Sequence, residues 1–258
     1  MILEKNPLLA DFDLVAFDLD NTLAESKQAL DSEMARLLKQ LLGTKKAAII
    51  SGASFPQYEE QVLQYLDLSP AELENFYLLP TSGASLYQFK GNSWQMAYRE
   101  ELSAEERTTI IATIEKGLVE AKIEAPEHVY GQLIEDRGTQ ITFSGLGSEA
   151  PLALKKTWDH DHVKKERLAE ILRRELPGYS VRVGGMSSVD INKSGIDKAY
   201  GLRRLAATAS IDLPRLLYVG DALFPGGNDE AVLPLGVPCV AVSGVPATKA
   251  LLRKLFTP

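Results

Sequence analysis

The run Val15-Ala16-Phe17-Asp18-Leu19-Asp20-Asn21-Thr22-Leu23 turns from apolar residues to two acids two positions apart. Leu14 to Phe17 suits a short strand covered on both faces of a parallel sheet. Ligands of open α/β sheets collect beyond the carboxyl ends of such strands, which is where Asp18 and Asp20 fall. Three other loops carry polar groups at similar places: Ser51, Lys198, and Gly220-Asp221 through Gly226-Gly227-Asn228-Asp229. A carboxylate there can attack an electrophile, move a proton or hold a hard cation. A lysine and a hydroxyl can hold an anion. Each piece alone also has a plain reading. The acids can form a capping turn, Ser51 can cap a helix, Lys198 can be a solvated helix residue, and the glycine-rich segment can be a turn. The order of the four loops is more specific than any one of them.

The elements that must carry these loops alternate. Ser32–Leu42 predicts an amphipathic helix, with Met34, Leu37, Leu38, Leu41 and Leu42 at helical spacing. Ala47–Ile50 is a second buried strand and leads into Ser51. Phe55–Leu66 reads as a helix with Pro56 in its first turn, and Asn75–Leu79 as a third strand. This βαβαβ order predicts a parallel sheet. Near Ser82 the pattern changes. Ala84–Tyr98 reads as a hairpin about Lys90-Gly91-Asn92-Ser93, and Ser103–Ala121 as a helix with Ser103 and Glu106 as a capping box. Short strands follow at 132–134 and 139–143, then a helix over His162–Leu176 and strands at Tyr179–Gly184 and Ser188–Ile191. From Gly195 the first style returns: a helix to Ala209, strands at Leu216–Val219 and Pro238–Val242, and a helix from Ala247. The expected fold is α/β, a Rossmann-like parallel-sheet core of residues 1–83 and 190–258 with an inserted α+β cap of residues 84–189.

A chain of 258 residues can bury a large core in one or two domains. Net charge is −7, which speaks against a nucleic-acid partner. The single Cys239 rules out an internal disulfide or a cysteine metal site, and its apolar surroundings suit an inert small hydrophobe. No apolar run reaches the length of a membrane span, and Met1–Ala10 lacks the pattern of a signal peptide. The expectation is a cytoplasmic protein with no membrane partner.

On Phe17–Leu23, Gly220–Glu230, Gly184-Gly185-Met186-Ser187-Ser188-Val189-Asp190 and Gly195-Ile196-Asp197-Lys198, the chain resembles the haloacid dehalogenase superfamily. The likeness is to the group with an α+β cap inserted between the second and third motifs, nearest to eukaryotic-type phosphomannomutases and related sugar phosphatases. The resemblance implies Mg²⁺ as cofactor, Asp18, Asp20, Ser51 and Lys198 as catalytic residues, and Asp18, Asp20 (through its backbone carbonyl) and Asp221 around the metal. Asn228 and Asp229 would orient that metal shell and Lys198. The residues suit this on physical grounds. A carboxylate approaching a phosphate ester brings anion to anion, at a cost of about 1 kcal/mol at 4 Å in water and several times more in a drier site. Cations must offset it. Asp18 would then be the nucleophile, and Asp20, crowded by Asp18, the proton donor and later base.

In the resemblance, cap arginines grip a distal phosphate. Arg137 matches one such position, and Ser188 and Asp190 match residues that touch sugar hydroxyls. Lys27, Tyr130 and Ser148 stand where the pattern has arginines, and Asn21 replaces its usual glycine. A mutase needs a second phosphate site and a phosphatase does not. The expected function is therefore hydrolysis of a small phosphorylated sugar or sugar acid. Phosphomannomutase activity is the alternative in the same class, and a non-catalytic phospho-accepting regulator the alternative outside it. A homodimer is compatible with this reading.

Weaker signals have plainer explanations. Gly145-Leu146-Gly147-Ser148-Glu149-Ala150 fits GxGxxA but lacks an enclosing βαβ unit. His160 and His162 read as a polar lead-in to a helix, and Lys155-Lys156 and Lys164-Lys165 as a solvated face.

Overall fold

Short apolar runs become strands in the structure, a computed structural model that describes residue 2, residues 8–184 and residues 186–256. Gly185 of the third motif and most of the N-terminal stretch read for a leader lie outside the described residues. Strand β1 (Leu14–Phe17) is buried at every position. Helix α1 (Ser32–Leu42) buries Met34, Leu37, Leu38, Leu41 and Leu42, as their spacing requires. Each leucine so buried contributes about 2 kcal/mol. Asp31 starts the helix by accepting from the N–H groups of Glu33 and Met34. Next come β2 (Lys46–Ile50), α2 (Phe55–Gln61), α3 (Pro70–Glu74), β3 (Phe76–Leu79) and the helical turn α4 (Pro80–Gly83). The helix expected to reach Leu66 stops at Gln61 and continues as a tighter turn over Leu63–Tyr65. Helix α3 was not expected, because five residues are too few for a period to show. Strands β4 (Ser85–Lys90) and β5 (Ser93–Arg99) form the anticipated hairpin.

The middle of the chain holds α5 (Ala104–Glu120), β6 (Ile134–Asp136), β7 (Gln140–Ser144), α6 (Leu152–Trp158), α7 (Val163–Glu175), β8 (Tyr179–Gly184) and β9 (Ser188–Lys193). Ser103 and Glu106 form the capping box of α5. The strands make an antiparallel sheet in the order β6-β7-β9-β8. Ile141, Phe143, Val189 and Ile191 of that sheet share a core with Ile110, Ile114, Leu168 and Leu172. Only half of each lysine pair is solvated: Lys156 and Lys164 are exposed, and Lys155 and Lys165 are buried. Lys165 falls on the apolar face of α7 with Leu168, Ala169 and Leu172, the i, i+3, i+4, i+7 set. Lys155 Nζ donates to the Ser148 carbonyl at 2.9 Å. The lead-in reading of His160 and His162 fits the cap of α7, where Asp159 accepts from the N–H groups of Lys164 and Lys165.

The chain ends with α8 (Lys198–Ala209), β10 (Leu216–Gly220), β11 (Cys239–Ala241) and α9 (Val245–Leu255). The large sheet runs β11-β10-β1-β2-β3-β4-β5. Its first five strands in that order are parallel, and β4 and β5 are antiparallel. Gly201 lets α8 come close: a Cβ there would lie 2.8 Å from the Cα of Gly83. Cys239 is free and buried in an apolar cluster.

Two compact units result, one of residues up to Arg99 with those from Asp197, the other Glu100–Ile196. The boundaries expected at 83/84 and 189/190 thus fall at 99/100 and 196/197. The hairpin belongs to the core, because Tyr77 and Leu78 of β3 pair with Gln88 and Tyr87 of β4. Strand β9 stays with the insert, because it pairs β7 and β8 as far as Asn192 and Lys193. Among the described residues no helix is long and apolar enough to cross a membrane.

Candidate active site

The central strands bring the loops together. Phe17 pairs with Val219 on one side and Ile49 on the other, so β1, β10 and β2 end side by side. Asp18 is the next residue, and its N–H still donates to the Val219 carbonyl at 2.9 Å. Its side chain is buried, 1 % exposed. Lys198, the first residue of α8, is equally buried and meets Oδ1 of Asp18 at 2.6 Å. The same ammonium meets Oδ1 of Asp229 at 2.6 Å. Asp229 is held further by the Tyr218 hydroxyl, 2.5 Å from Oδ1, and by the Ala222 N–H, 3.1 Å from Oδ2. Gly220 makes room for this, since a Cβ there would come within 2.2 Å of Asp229 Oδ2.

Electrostatics follow from burial. Desolvation lifts the Asp18 carboxyl above the usual carboxylate range against the pull of Lys198, and the Asp229 charge adds to the lift. Desolvation works to lower the Lys198 ammonium, yet the charges of Asp18 and Asp229 outweigh it and raise it. The half-buried Asp221 is also raised, by desolvation and then by the Asp229 charge.

Asp18, Asp221 and Asp229 present carboxylate oxygens all within 4.8 Å of one another. Oδ2 of Asp18 is buried and accepts no hydrogen bond. A close set of hard carboxylate oxygens of this kind fits Mg²⁺. Both oxygens of Asp229 are engaged, Oδ1 by Lys198 and the Tyr218 hydroxyl and Oδ2 by the Ala222 N–H.

Asp20 is half-buried beside this cluster, outside the carboxylate trio. Its Oδ1 accepts from the backbone N–H of Lys27 at 2.7 Å. Asn21 takes the left-handed conformation, φ 57°, that its replacement of glycine anticipates. Ser51 is buried and its Oγ lies 3.1 Å from the hydroxyl of Tyr58, which in turn lies 3.1 Å from the Leu79 carbonyl. The Tyr58 hydroxyl is raised by desolvation and by the charges of Asp18 and Asp20, which places the Ser51–Tyr58 pair within their field.

Asn228 is exposed, unlike its buried neighbour Asp229. Lys27 is exposed and contributes its backbone N–H. Arg137, Ser188 and Asp190 belong to the other compact unit. There Arg137 pairs with Glu135 at 2.7 Å, the Ser188 hydroxyl donates to the Gly184 carbonyl, and Asp190 accepts from Thr142. Two tyrosines were missed from the sequence, Tyr58 and Tyr218. The signal for Tyr218 is a phenol in a strand of Leu, Leu, Val and Gly, where a buried hydroxyl must find a partner.

A family model described as haloacid dehalogenase-like hydrolase matches residues 15–235. Phosphomannomutase from Saccharomyces cerevisiae is 25% identical over 225 residues, 85% of this chain and 84% of that protein. Phosphomannomutase 1 from Homo sapiens is 26% identical over 222 residues, 84% of this chain and 81% of that protein. An IMP-bound structure of a Plasmodium falciparum IMP-nucleotidase variant superposes with a TM-score of 0.68 at 20% identity, covering 96% of this chain and 67% of that one.

Proposed function

The chain belongs to the haloacid dehalogenase-like hydrolases, enzymes of phosphatase or phosphotransferase type, and we propose that it is a Mg²⁺-dependent phosphatase of a small phosphorylated sugar or sugar acid. The observation that carries this reading is the buried Asp18, with Lys198 on one oxygen and nothing on the other. Asp18, Asp221 and the backbone carbonyl of Asp20 would hold Mg²⁺, which would supply positive charge that lets a carboxylate approach a phosphate ester. Lys198 adds a fixed positive charge for the phosphoryl oxygens, and the Ser51 hydroxyl donates to one of them.

Oδ2 of Asp18 forms a bond to phosphorus as the bond from phosphorus to the ester oxygen breaks. The leaving oxygen keeps that electron pair and takes a proton from the Asp20 carboxyl. Asp20, now a carboxylate, takes a proton from water, and the water oxygen attacks the same phosphorus. The bond from phosphorus to Asp18 breaks, which frees inorganic phosphate and restores the carboxylate. The Lys27 N–H holds Asp20 at the loop for both transfers.

The unit Glu100–Ile196 is assigned the role of the cap that chooses the substrate, with Arg137, Ser188, Asp190 and the core residue Lys27 as candidates for its organic part. Transfer between two positions of one sugar, the activity named for the yeast and human relatives, is the second reading. Hydrolysis is favoured over it because the Arg137 guanidinium is already engaged by Glu135, which leaves less charge for a second phosphate. A cytoplasmic site of action goes with either. The test measures phosphate release with Mg²⁺ across a panel of sugar phosphates. A parallel assay offers mannose 1-phosphate with mannose 1,6-bisphosphate. Release of phosphate is the expected result; mannose 6-phosphate formed without it would establish the mutase instead.

A further inference from the structure

Tyr218 is buried at the centre of the site, and the roles above leave its hydroxyl unused. Its ring sits in an apolar cluster with Leu14, Ala16 and Leu202. Its hydroxyl donates to Oδ1 of Asp229 at 2.5 Å and accepts from Lys198 Nζ at 3.3 Å. An ammonium carries three donors. Those of Lys198 reach Asp18, Asp229 and Tyr218, so each has an acceptor.

Two contacts leave an ammonium free to rock about the line that joins them, and a third fixes it. A phenylalanine would fill the same apolar space, so packing alone does not call for the hydroxyl. Burying it unbonded would cost about 1–3 kcal/mol; bonded to a carboxylate and an ammonium, it is among the stronger hydrogen bonds a protein makes. We infer that Tyr218 is a positioning residue for the reaction. It steadies Asp229 and takes the third donor of Lys198, which fixes Lys198 on Oδ1 of Asp18 and leaves Oδ2 to meet phosphorus. The inference rests on Asp18 as the nucleophile.

Tyr218→Phe keeps the ring and removes only the hydroxyl. With p-nitrophenyl phosphate and Mg²⁺, kcat is expected to fall about tenfold, with KM within about twofold of the parent, because the loss is in the transition state. Since Tyr218 acts in part through Asp229 and in part directly on Lys198, the same change in an Asp229→Asn background should cost clearly less than about tenfold more. Rates are expressed per folded molecule by circular dichroism, so loss of folded protein alone leaves kcat at the parent value. A Y218F enzyme within about twofold of the parent, or an undiminished tenfold loss in the D229N background, overturns the inference. An Asp18→Asn enzyme that keeps the parent rate overturns the reading beneath it, whatever Y218F does.

Discussion

Lys198 Nζ lies 2.6 Å from Oδ1 of Asp18, a residue 180 positions earlier in the chain. Both side chains are about 1 % exposed. Lys198 is compensated further by Asp229 and the Tyr218 hydroxyl, whereas Oδ2 of Asp18 accepts no hydrogen bond. The pair binds the first loop of the core to the helix that follows the insert, and most of the predictions below turn on it.

Asp18→Asn removes the carboxylate proposed as nucleophile and keeps the shape. Steady-state turnover of p-nitrophenyl phosphate should drop by at least about a thousandfold, with the far-UV circular dichroism spectrum retained. Turnover at the parent rate would show that another group attacks.

Asp221→Ala should weaken the metal requirement's origin rather than the fold. We expect the Mg²⁺ concentration for half-maximal activity to rise by at least about tenfold. Chelation of the parent by EDTA should abolish activity, and added Mg²⁺ should restore it. An unchanged Mg²⁺ titration in D221A would remove Asp221 from the metal shell.

Lys198→Met tests stability as well as rate. It leaves Asp18 and Asp229 buried without their cation, and breaking a buried pair from one side costs about 3–5 kcal/mol. Urea unfolding of K198M should show a loss of that order at neutral pH. The loss should shrink on acidification, as Asp18 protonates. A midpoint equal to the parent's at pH 7 would mean the pair carries little net energy.

Asp31 gives a pH dependence of defined sign. Desolvation, the largest single influence, raises its carboxyl, but the hydrogen bond and charge of Lys249 together with the N–H groups of Met34 and Glu33 outweigh it and hold the group below its usual range. The folded form therefore binds this proton less readily than the unfolded chain. Its stabilisation is present above the ordinary carboxylate pKa of about 4 and is lost as pH falls through the lower folded value. Asp31→Asn keeps the helix cap and loses the charge. The parent should be the more stable of the two near pH 6, and the gap should close below about pH 3. Thermal unfolding at several pH values would measure it, and a gap that widens in acid would reverse the assignment.

The resemblance and the loop order already name Asp18, Lys198, Asp221 and Asp229, because acids and a lysine at strand ends are dear to keep there without a use. The alternation of apolar runs likewise implies the parallel core. Local pattern also accounts for α1 and the capping box of α5, since both depend on neighbours three and four residues away.

What lies beyond neighbouring residues needed the folded chain. The hairpin Ser85–Arg99 reads the same whether it closes the core sheet or opens the insert, and only its pairing with β3 decides. Lys165 has the composition of a surface residue until α7 turns it onto the face of Leu168 and Leu172. Tyr218 looks like one more apolar strand position until β10 sets its hydroxyl against Asp229, eleven residues on, and Lys198, twenty residues back. Residue types and their order determined which chemistry is within reach. Tertiary structure alone decided which oxygen of Asp18 is tied and which is open, because that depends on contacts made by strands and helices distant in the chain.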